Sequence, residues 1–255
     1  VSLVSACHGR SSQTIVAFKE QRMSSLDGFP ITKRWPPSRP DVIQLYTLNT
    51  PNGIKASVML EECGLTYDAH RISIGDPEDQ MTPEFLSLNP NNKIPAMIDP
   101  DGPDGKPMGL WESGAMLIYL ADKTGRFLPR DGAARYQTIQ WVMFQMGGVG
   151  PMFGQLGFFH RYKGSEFEDK RPRDRYVNEA RRLLGVLDRQ LDGKDWITGD
   201  YSIADIATAP WVRTLIVNYE ATDLVQLSGF ANVTAWLDRF LARPAVQRGI
   251  AVGAA

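Results

Sequence analysis

Cysteine, histidine and surplus charge are all scarce in this 255-residue chain, and each scarcity removes a class of chemistry. Only two cysteines occur, Cys7 and Cys63, far apart and in no C-x-x-C arrangement. That spacing excludes a disulfide framework, a thiolate zinc site and a dithiol redox pair, and it fits the reducing cytosol, so a cytoplasmic location is expected. The three histidines, His8, His70 and His160, are too scattered to form a ligand cluster, so no metal is expected. The formal net charge is -1, without the positive surplus that neutralising phosphates requires. No nucleic-acid partner is expected.

Long hydrophobic runs are also missing, with one near-exception. Trp141 to Phe159 carries no charge and is long enough on paper to cross a bilayer. Its five glycines, Pro151, Gln145 and Gln155 read better as a buried helix breaking into a loop, so no membrane span is expected. The opening Val-Ser-Leu-Val-Ser-Ala-Cys7 lacks the basic leader and full apolar core of a lipidation signal. Val1 to Arg22 shows no clear amphipathic period, and residues 1–40 are expected to form an irregular arm outside the core. What remains is ordinary globular composition, 43% apolar and 22% charged, enough for one large domain or two.

From Val42 onward the pattern becomes regular. Val42 to Tyr46 is a short β-type run, followed by Asn49-Thr50-Pro51-Asn52-Gly53 and a helical repeat that stops at Gly64. A second strand is expected over Tyr67 to Ile74 and a short helix near Glu84 to Leu88, which together make a β-α-β unit. Ile94 to Ile98 and Met108 to Trp111, separated by the turn-rich stretch 100–105, read as an antiparallel hairpin. A helix then opens at Glu112-Ser113 and stops near Gly125. The order β-α-β-α-β-β-α defines an α/β layer with a small mixed sheet. After Pro129 only helical periods follow, clearest in Tyr176, Val177, Ala180, Leu183, Leu184, Leu187 and Leu191. The expected division is therefore an α/β domain over 41–129 and an all-helical bundle over 130–255.

Four motifs are placed to carry chemistry. Thr50-Pro51-Asn52-Gly53 stands at a strand-to-helix junction, where free amides and the helix dipole favour an anion such as a thiolate. Thr50 and Asn52 can donate to that sulfur, or they can simply cap the helix. Asn91-Asn92-Lys93-Ile94-Pro95 begins a strand at a proline, and a cis Ile94-Pro95 bond would let that backbone meet a peptide ligand. Glu112-Ser113-Gly114-Ala115 opens another helix, where Ser113 can hold a carboxylate and Glu112 an α-amino group, or both can merely start the helix. Ser202 to Asp205 forms a capping box, read as structural.

Taken together and in this order, these elements resemble the glutathione transferase family over roughly Val42 to Val246. Pro90 to Pro95, Trp111 to Gly114 and the Gln140 to Met152 stretch are similar to its Nu class of Ure2-like bacterial disulfide-bond reductases. The resemblance implies a thioredoxin-like N-terminal domain and an all-α helical-bundle C-terminal domain that shapes the second substrate's pocket. It implies glutathione, reduced or oxidised, as co-substrate and a homodimer as the assembly. Thr50 and Asn52 are implied near the glutathione sulfur, with Gln80 and Lys93 toward its glycyl end. Ile94, ahead of Pro95, is implied at the cysteinyl backbone, and Glu112 with Ser113 at the γ-glutamyl end. Arg175 matches a position that reaches glutathione in the neighbouring subunit. Trp141, Phe144, Met152, Phe153 and Phe158, with Phe159, are the candidates for the second-substrate pocket.

The sequence lacks the tyrosine, serine or cysteine that other classes of the family place in the first loop. Tyr46 falls inside the first strand and reads as packed, and Cys63, near the end of the first helix, reads as a small apolar residue. The implied chemistry is reduction of a disulfide by the thiolate of glutathione itself, with no protein cysteine. Conjugation to an electrophile, cleavage of an aromatic ether, and a non-catalytic glutathione-binding role stay open beside it. Replacing Cys63 by alanine is expected to leave glutathione-dependent turnover nearly unchanged, and steady-state assay of Cys63→Ala checks this.

Overall fold

The computed structural model describes residues 26–75 and 77–253. Cys7, His8 and the first part of the expected arm lie outside the described residues. The chain divides into two compact units. One takes the chain up to Tyr46 together with Thr66–Trp111; the other takes Thr47–Leu65 and Glu112 onward.

The first unit holds a four-stranded sheet in the order β2-β1-β3-β4, made of β1 (Ile43–Thr47), β2 (Tyr67–Arg71), β3 (Ala96–Asp99) and β4 (Met108–Trp111). β3 runs antiparallel to both β1 and β4, with Leu45 opposite Met97 and Met97 opposite Leu110. The residues of β1 and β3 are buried throughout, the pattern of strands covered on both faces. β2 stops at Arg71, short of the expected Ile74: Ile72 is buried, and the Ser73 amide donates to the Asp79 carboxylate at 2.9 Å in place of a ladder partner. β3 begins only at Ala96, directly after the cis Ile94-Pro95 bond. Helix α2 (Pro83–Leu88) starts at Thr82, whose hydroxyl accepts from the Phe85 amide.

The described part of the expected arm does not lie outside the core. Leu26 and Ile31 are buried, and Trp35 packs edge-on against Tyr46 and Phe85 at 6.3 and 6.4 Å. Nor is this part irregular throughout: Ile31–Arg34 forms one helical turn that buries Ile31, too short to show an amphipathic period.

The second unit is helical: α1 (Pro51–Cys63), α3 (Ser113–Thr124), α4 (Gly132–Phe144), α5 (Gly150–His160), α6 (Arg171–Gln190), α7 (Ile203–Val217), α8 (Ala231–Leu241) and α9 (Pro244–Ala251). α6 buries Val177, Ala180, Leu183, Leu184 and Leu187, the expected stripe. α1 is buried along an unbroken run from Gly53 to Leu60 and ends at Gly64, whose φ of 67° closes the helix in the left-handed conformation. α9 packs on it: a Cβ added to Gly249 would meet the Val58 backbone at 2.6 Å, and the Ser57 hydroxyl donates to the Gly249 carbonyl at 2.7 Å. At the far end Arg243 makes two bonds to the Glu62 carboxylate, at 2.6 and 2.9 Å.

The Trp141 to Phe159 segment does not break into a loop. α4 continues through a π-helical turn, Gln145–Val149, directly into α5, so the extra residue that glycine and proline force is absorbed by widening the helix. Among the described residues, no helix is long and apolar enough to cross a membrane.

The capping box that opens α7 is formed. The Asp205 carboxylate accepts from the amides of Ser202 and Ile197 at 2.9 and 3.0 Å and from the Trp236 indole at 2.8 Å. Those three donors, with the Ser202 hydroxyl at 3.2 Å as a fourth, meet on one buried carboxylate and join the start of α7 to α8 and to the loop before it. Replacement by alanine leaves all three buried and unpaired, and Asp205→Ala is expected to lose about 3 kcal/mol or more of stability, read by urea unfolding.

Candidate functional site

The site builds outward from the start of α1. Thr50 is extended (φ -121°, ψ 163°), its hydroxyl accepts from the Gly53 amide at 3.2 Å, and Pro51 occupies the first turn. Capping and sulfur binding are compatible here, because an accepting hydroxyl still has its own proton to donate. Gly53 has no room for a side chain: an added Cβ would lie 2.0 Å from the Leu48 carbonyl oxygen. That close approach folds the loop tightly under the helix and brings Thr50 and Asn52 onto one rim.

Asn52 is half-buried, and its carboxamide oxygen accepts from the Trp211 indole on α7 at 3.0 Å. An indole N–H can only donate, so the contact fixes which way the amide points. The oxygen faces Trp211 and the NH2 is turned away from it as a free donor. Asn52 borders a cavity of about 320 Å³ lined also by Lys55, Gln145, Met146, Gly150, Gln155 and Trp211. The lining combines the polar ends of Asn52, Lys55, Gln145 and Gln155 with the apolar surfaces of Met146, Pro151 and Trp211.

Lys55 is fully buried. Its Nζ donates to Gln145 Oε1 at 2.5 Å and to Ser113 Oγ at 3.2 Å, and lies 3.5 Å from Met146 Sδ. Burial pushes its pKa down to about 7, with the Glu112 carboxylate acting in the opposite direction. Glu112 itself sits at φ 71° and ψ 110°, just ahead of α3. A non-glycine residue held there stores strain, of the order of 1–3 kcal/mol, and such positions cluster at ligand sites. The turn leaves the Glu112 side chain exposed and Ser113 buried, with no side-chain cap on the α3 amides.

The other expected residues fall as follows. In the sheet unit, Ile94 and Pro95 are buried and Lys93 is exposed, while Gln80 is partly exposed and its amide donates to the Ile74 carbonyl at 3.2 Å. Tyr46 is fully buried and stacks on His70 at 4.7 Å, and burial, with Asp68 adding to it, pushes its phenol pKa up. Burial likewise pushes the Cys63 thiol up, and its Sγ lies 3.4 Å from the Thr124 hydroxyl. Neither group is a ready anion. Arg175 is exposed and borders a second cavity of about 600 Å³ with Met152, Tyr176, Glu179 and Arg182.

The aromatic candidates for the second-substrate pocket do not line the cavity beside Asn52. Trp141 and Phe144 pack edge-on against each other at 5.1 Å, Phe153 is core, Phe158 stands against Phe159 and Phe167, and Phe159 stacks on Tyr176. Met152 faces the other cavity. The π turn at Gln145–Val149 resets the phase of the helix, so Gln145, Met146, Gly150 and Gln155 face the cavity in place of the larger side chains. Lys55, Gln145 and Trp211 were not legible as site residues. A lysine inside the apolar period of α1 is the one local signal that could have marked them.

The family comparisons agree with this architecture. Residues 51–123 match the model for the glutathione S-transferase N-terminal domain, and residues 152–244 that for the glutathione S-transferase C-terminal domain. The chain is 40% identical over 211 residues to the disulfide-bond oxidoreductase YfcG of Escherichia coli, covering 82% of this chain and 94% of that protein. A glutathione transferase family member from Pseudomonas fluorescens with two glutathione bound superposes with a TM-score of 0.86 at 62% identity, covering 87% of this chain and 98% of that one. A glutathione transferase from Pseudomonas putida, with one glutathione disulfide bound per subunit, gives a TM-score of 0.88 at 60% identity, over 89% and 99%. The chain belongs to the glutathione S-transferase family, with its thioredoxin-like sheet region followed by a helical C-terminal region.

Because Trp211 alone among the described residues fixes the Asn52 amide, Trp211→Phe is expected to cost about 1 kcal/mol in urea unfolding. The Asn52 side-chain NH2 resonances should then move toward those of a freely rotating amide in a heteronuclear NMR spectrum.

Proposed function

We propose that this chain is a glutathione-dependent disulfide-bond oxidoreductase of the Nu class, in which the attacking sulfur belongs to glutathione and not to the protein. The observation that carries the reading is the oriented amide of Asn52. It stands at the N-terminus of α1 beside a hydroxyl with a free proton, and its oxygen is tied to Trp211. Two neutral donors and the dipole of a 13-residue helix stabilise a thiolate more than the thiol, which lowers the thiol pKa and raises the reactive fraction. The relatives support the same chemistry: one is named a disulfide-bond oxidoreductase, and others hold two glutathiones or glutathione disulfide.

The exchange runs in two displacements. A glutathione thiolate attacks the substrate disulfide, forming a mixed disulfide and releasing one substrate thiolate. A second glutathione thiolate attacks the glutathione sulfur of that mixed disulfide, giving glutathione disulfide and the other substrate thiolate. Two electrons pass from two glutathiones to one disulfide, and the released thiolates take up the protons that the glutathiones lost. Thr50 and Asn52 hold the thiolate; Glu112 takes the α-amino group and Ser113 the carboxylate of the γ-glutamyl end. Ile94, Pro95, Lys93 and Gln80 keep the roles that the family resemblance implies, along the cysteinyl backbone and toward the glycyl end. Arg175 is assigned to a neighbouring subunit's glutathione, in a cytoplasmic homodimer.

Conjugation at a carbon centre uses the same thiolate but does not call for the second glutathione that relatives hold, free or as the disulfide. Glutathione-dependent reduction of 2-hydroxyethyl disulfide is therefore expected to exceed conjugation of chlorodinitrobenzene. Asn52→Ala is expected to slow disulfide reduction by about tenfold or more and to raise the pH at which the rate reaches half-maximum. Equal rates for Asn52→Ala and the native chain would remove Asn52 from the mechanism.

A further inference from the structure

Lys55 has no part in the chemistry above, yet a fully buried ammonium is costly unless its environment replaces water. Its Nζ has the Gln145 carbonyl and the Ser113 hydroxyl as oxygen acceptors, and no ion pair with Lys55 forms among the described residues. The Ser113 bond has a chemical consequence. With its oxygen accepting from Lys55, the hydroxyl still has its own proton to donate, and among the described residues the acceptor it meets is the Met146 sulfur at 3.7 Å. Ser113 also opens the uncapped N-terminus of a 12-residue helix. The hydroxyl, the free amides and the buried positive charge all suit an incoming carboxylate.

We propose that Lys55 is a positioning residue that acts through Ser113, holding its hydroxyl as a donor and supplying the charge that a ligand carboxylate meets at the start of α3, so that carboxylate binding and protonation of Lys55 are linked. The inference rests on the reading of Ser113 as the anchor for the γ-glutamyl carboxylate. Of the groups around Lys55, Glu112 from α3 is the charge that acts on it among the described residues. Gln145 and Met146 from the π turn and Trp211 from α7 are uncharged. Asp205 and Arg213 of α7 and Asp122 and Lys123 of α3 exert no comparable effect, while Arg243 and Arg248 beside α9 pair with Glu62 and Glu61 at the far end of α1. An ammonium with a pKa of about 7 is only partly protonated near neutral pH. An adjacent carboxylate raises that pKa, and a fraction of a proton is taken up on binding.

S-methylglutathione tests this directly, because it keeps the γ-glutamyl end and has no thiol to ionise. Its binding is measured at pH 7.5 by titration calorimetry in buffers of different ionisation enthalpy, for the native chain, Lys55→Met and Ser113→Ala. The native chain is expected to take up a net fraction of a proton. Lys55→Met is expected to lose that uptake and to bind about tenfold more weakly. Unchanged uptake and affinity in Lys55→Met overturn the inference and leave the site reading standing. Absence of native binding, or full affinity in Ser113→Ala, overturns the site reading and the inference with it. Circular dichroism verifies the fold of Lys55→Met. Should it be unfolded, Gln145→Leu removes one acceptor and leaves the ammonium in place, and the pH of maximal uptake then moves down. An unmoved maximum overturns the inference.

Discussion

The helical unit is organised around one buried charge. Lys55 sits in the middle of a run of α1 in which every residue from Gly53 to Leu60 is removed from water, and its ammonium is solvated by Gln145 and Ser113 in water's place. Each acceptor belongs to a different segment, so satisfying the charge fixes α1, the start of α3 and the π turn between α4 and α5 in one arrangement. The π turn follows from the same requirement: Gln145 must point inward just where the chain carries a run of glycines. Gly150 yields the room, since a Cβ there would lie 2.7 Å from Gln145 Nε2.

A second set of contacts places α1 relative to the later helices. Trp211 holds Asn52 at its start, Gly249 lies flat against Val58 at its middle, and Arg243 grips Glu62 near its end. The free donors of Thr50 and Asn52 thus stand on a helix that cannot tilt without breaking contacts along its whole length. In the function proposed, a stabilised thiolate needs donors that stay in position when charge forms, and packing of this kind would keep them there. Asp205 does the corresponding work for α7, so the indole that orients Asn52 is itself carried on a firmly capped helix.

Local signals were legible where the physics is local. The order β-α-β-α-β-β-α follows from alternating runs, turns and caps, and Thr50, Gly64 and the Ser202 to Asp205 box stand where capping chemistry puts them. The burial of Tyr46 agrees with expectation, and the Ile94-Pro95 bond takes the cis form that the strand-opening proline left open. The expected arm failed as a description of residues 26–40, because burial by single anchors such as Ile31 and Trp35 leaves no period to detect. The candidate pocket aromatics stay off the cavity beside Asn52 for another reason. Composition marked the segment as apolar, but which side chains face the cavity depends on helix phase, and one π turn changes that phase for all that follow.

By itself, then, the sequence determined the succession of elements, the capped start of α1 with Thr50 and Asn52 on it, and the absence of a C-x-x-C pair. Those properties depend on neighbours within a few residues. Only the tertiary structure decided how the site works: the direction of the Asn52 amide, set by an indole 159 positions away, and the coupling of Lys55 to Ser113 and Gln145, 58 and 90 positions away. A side chain's hydrogen-bond orientation and a buried group's charge are properties of whatever surrounds them in space, and no local pattern of residues encodes that surrounding.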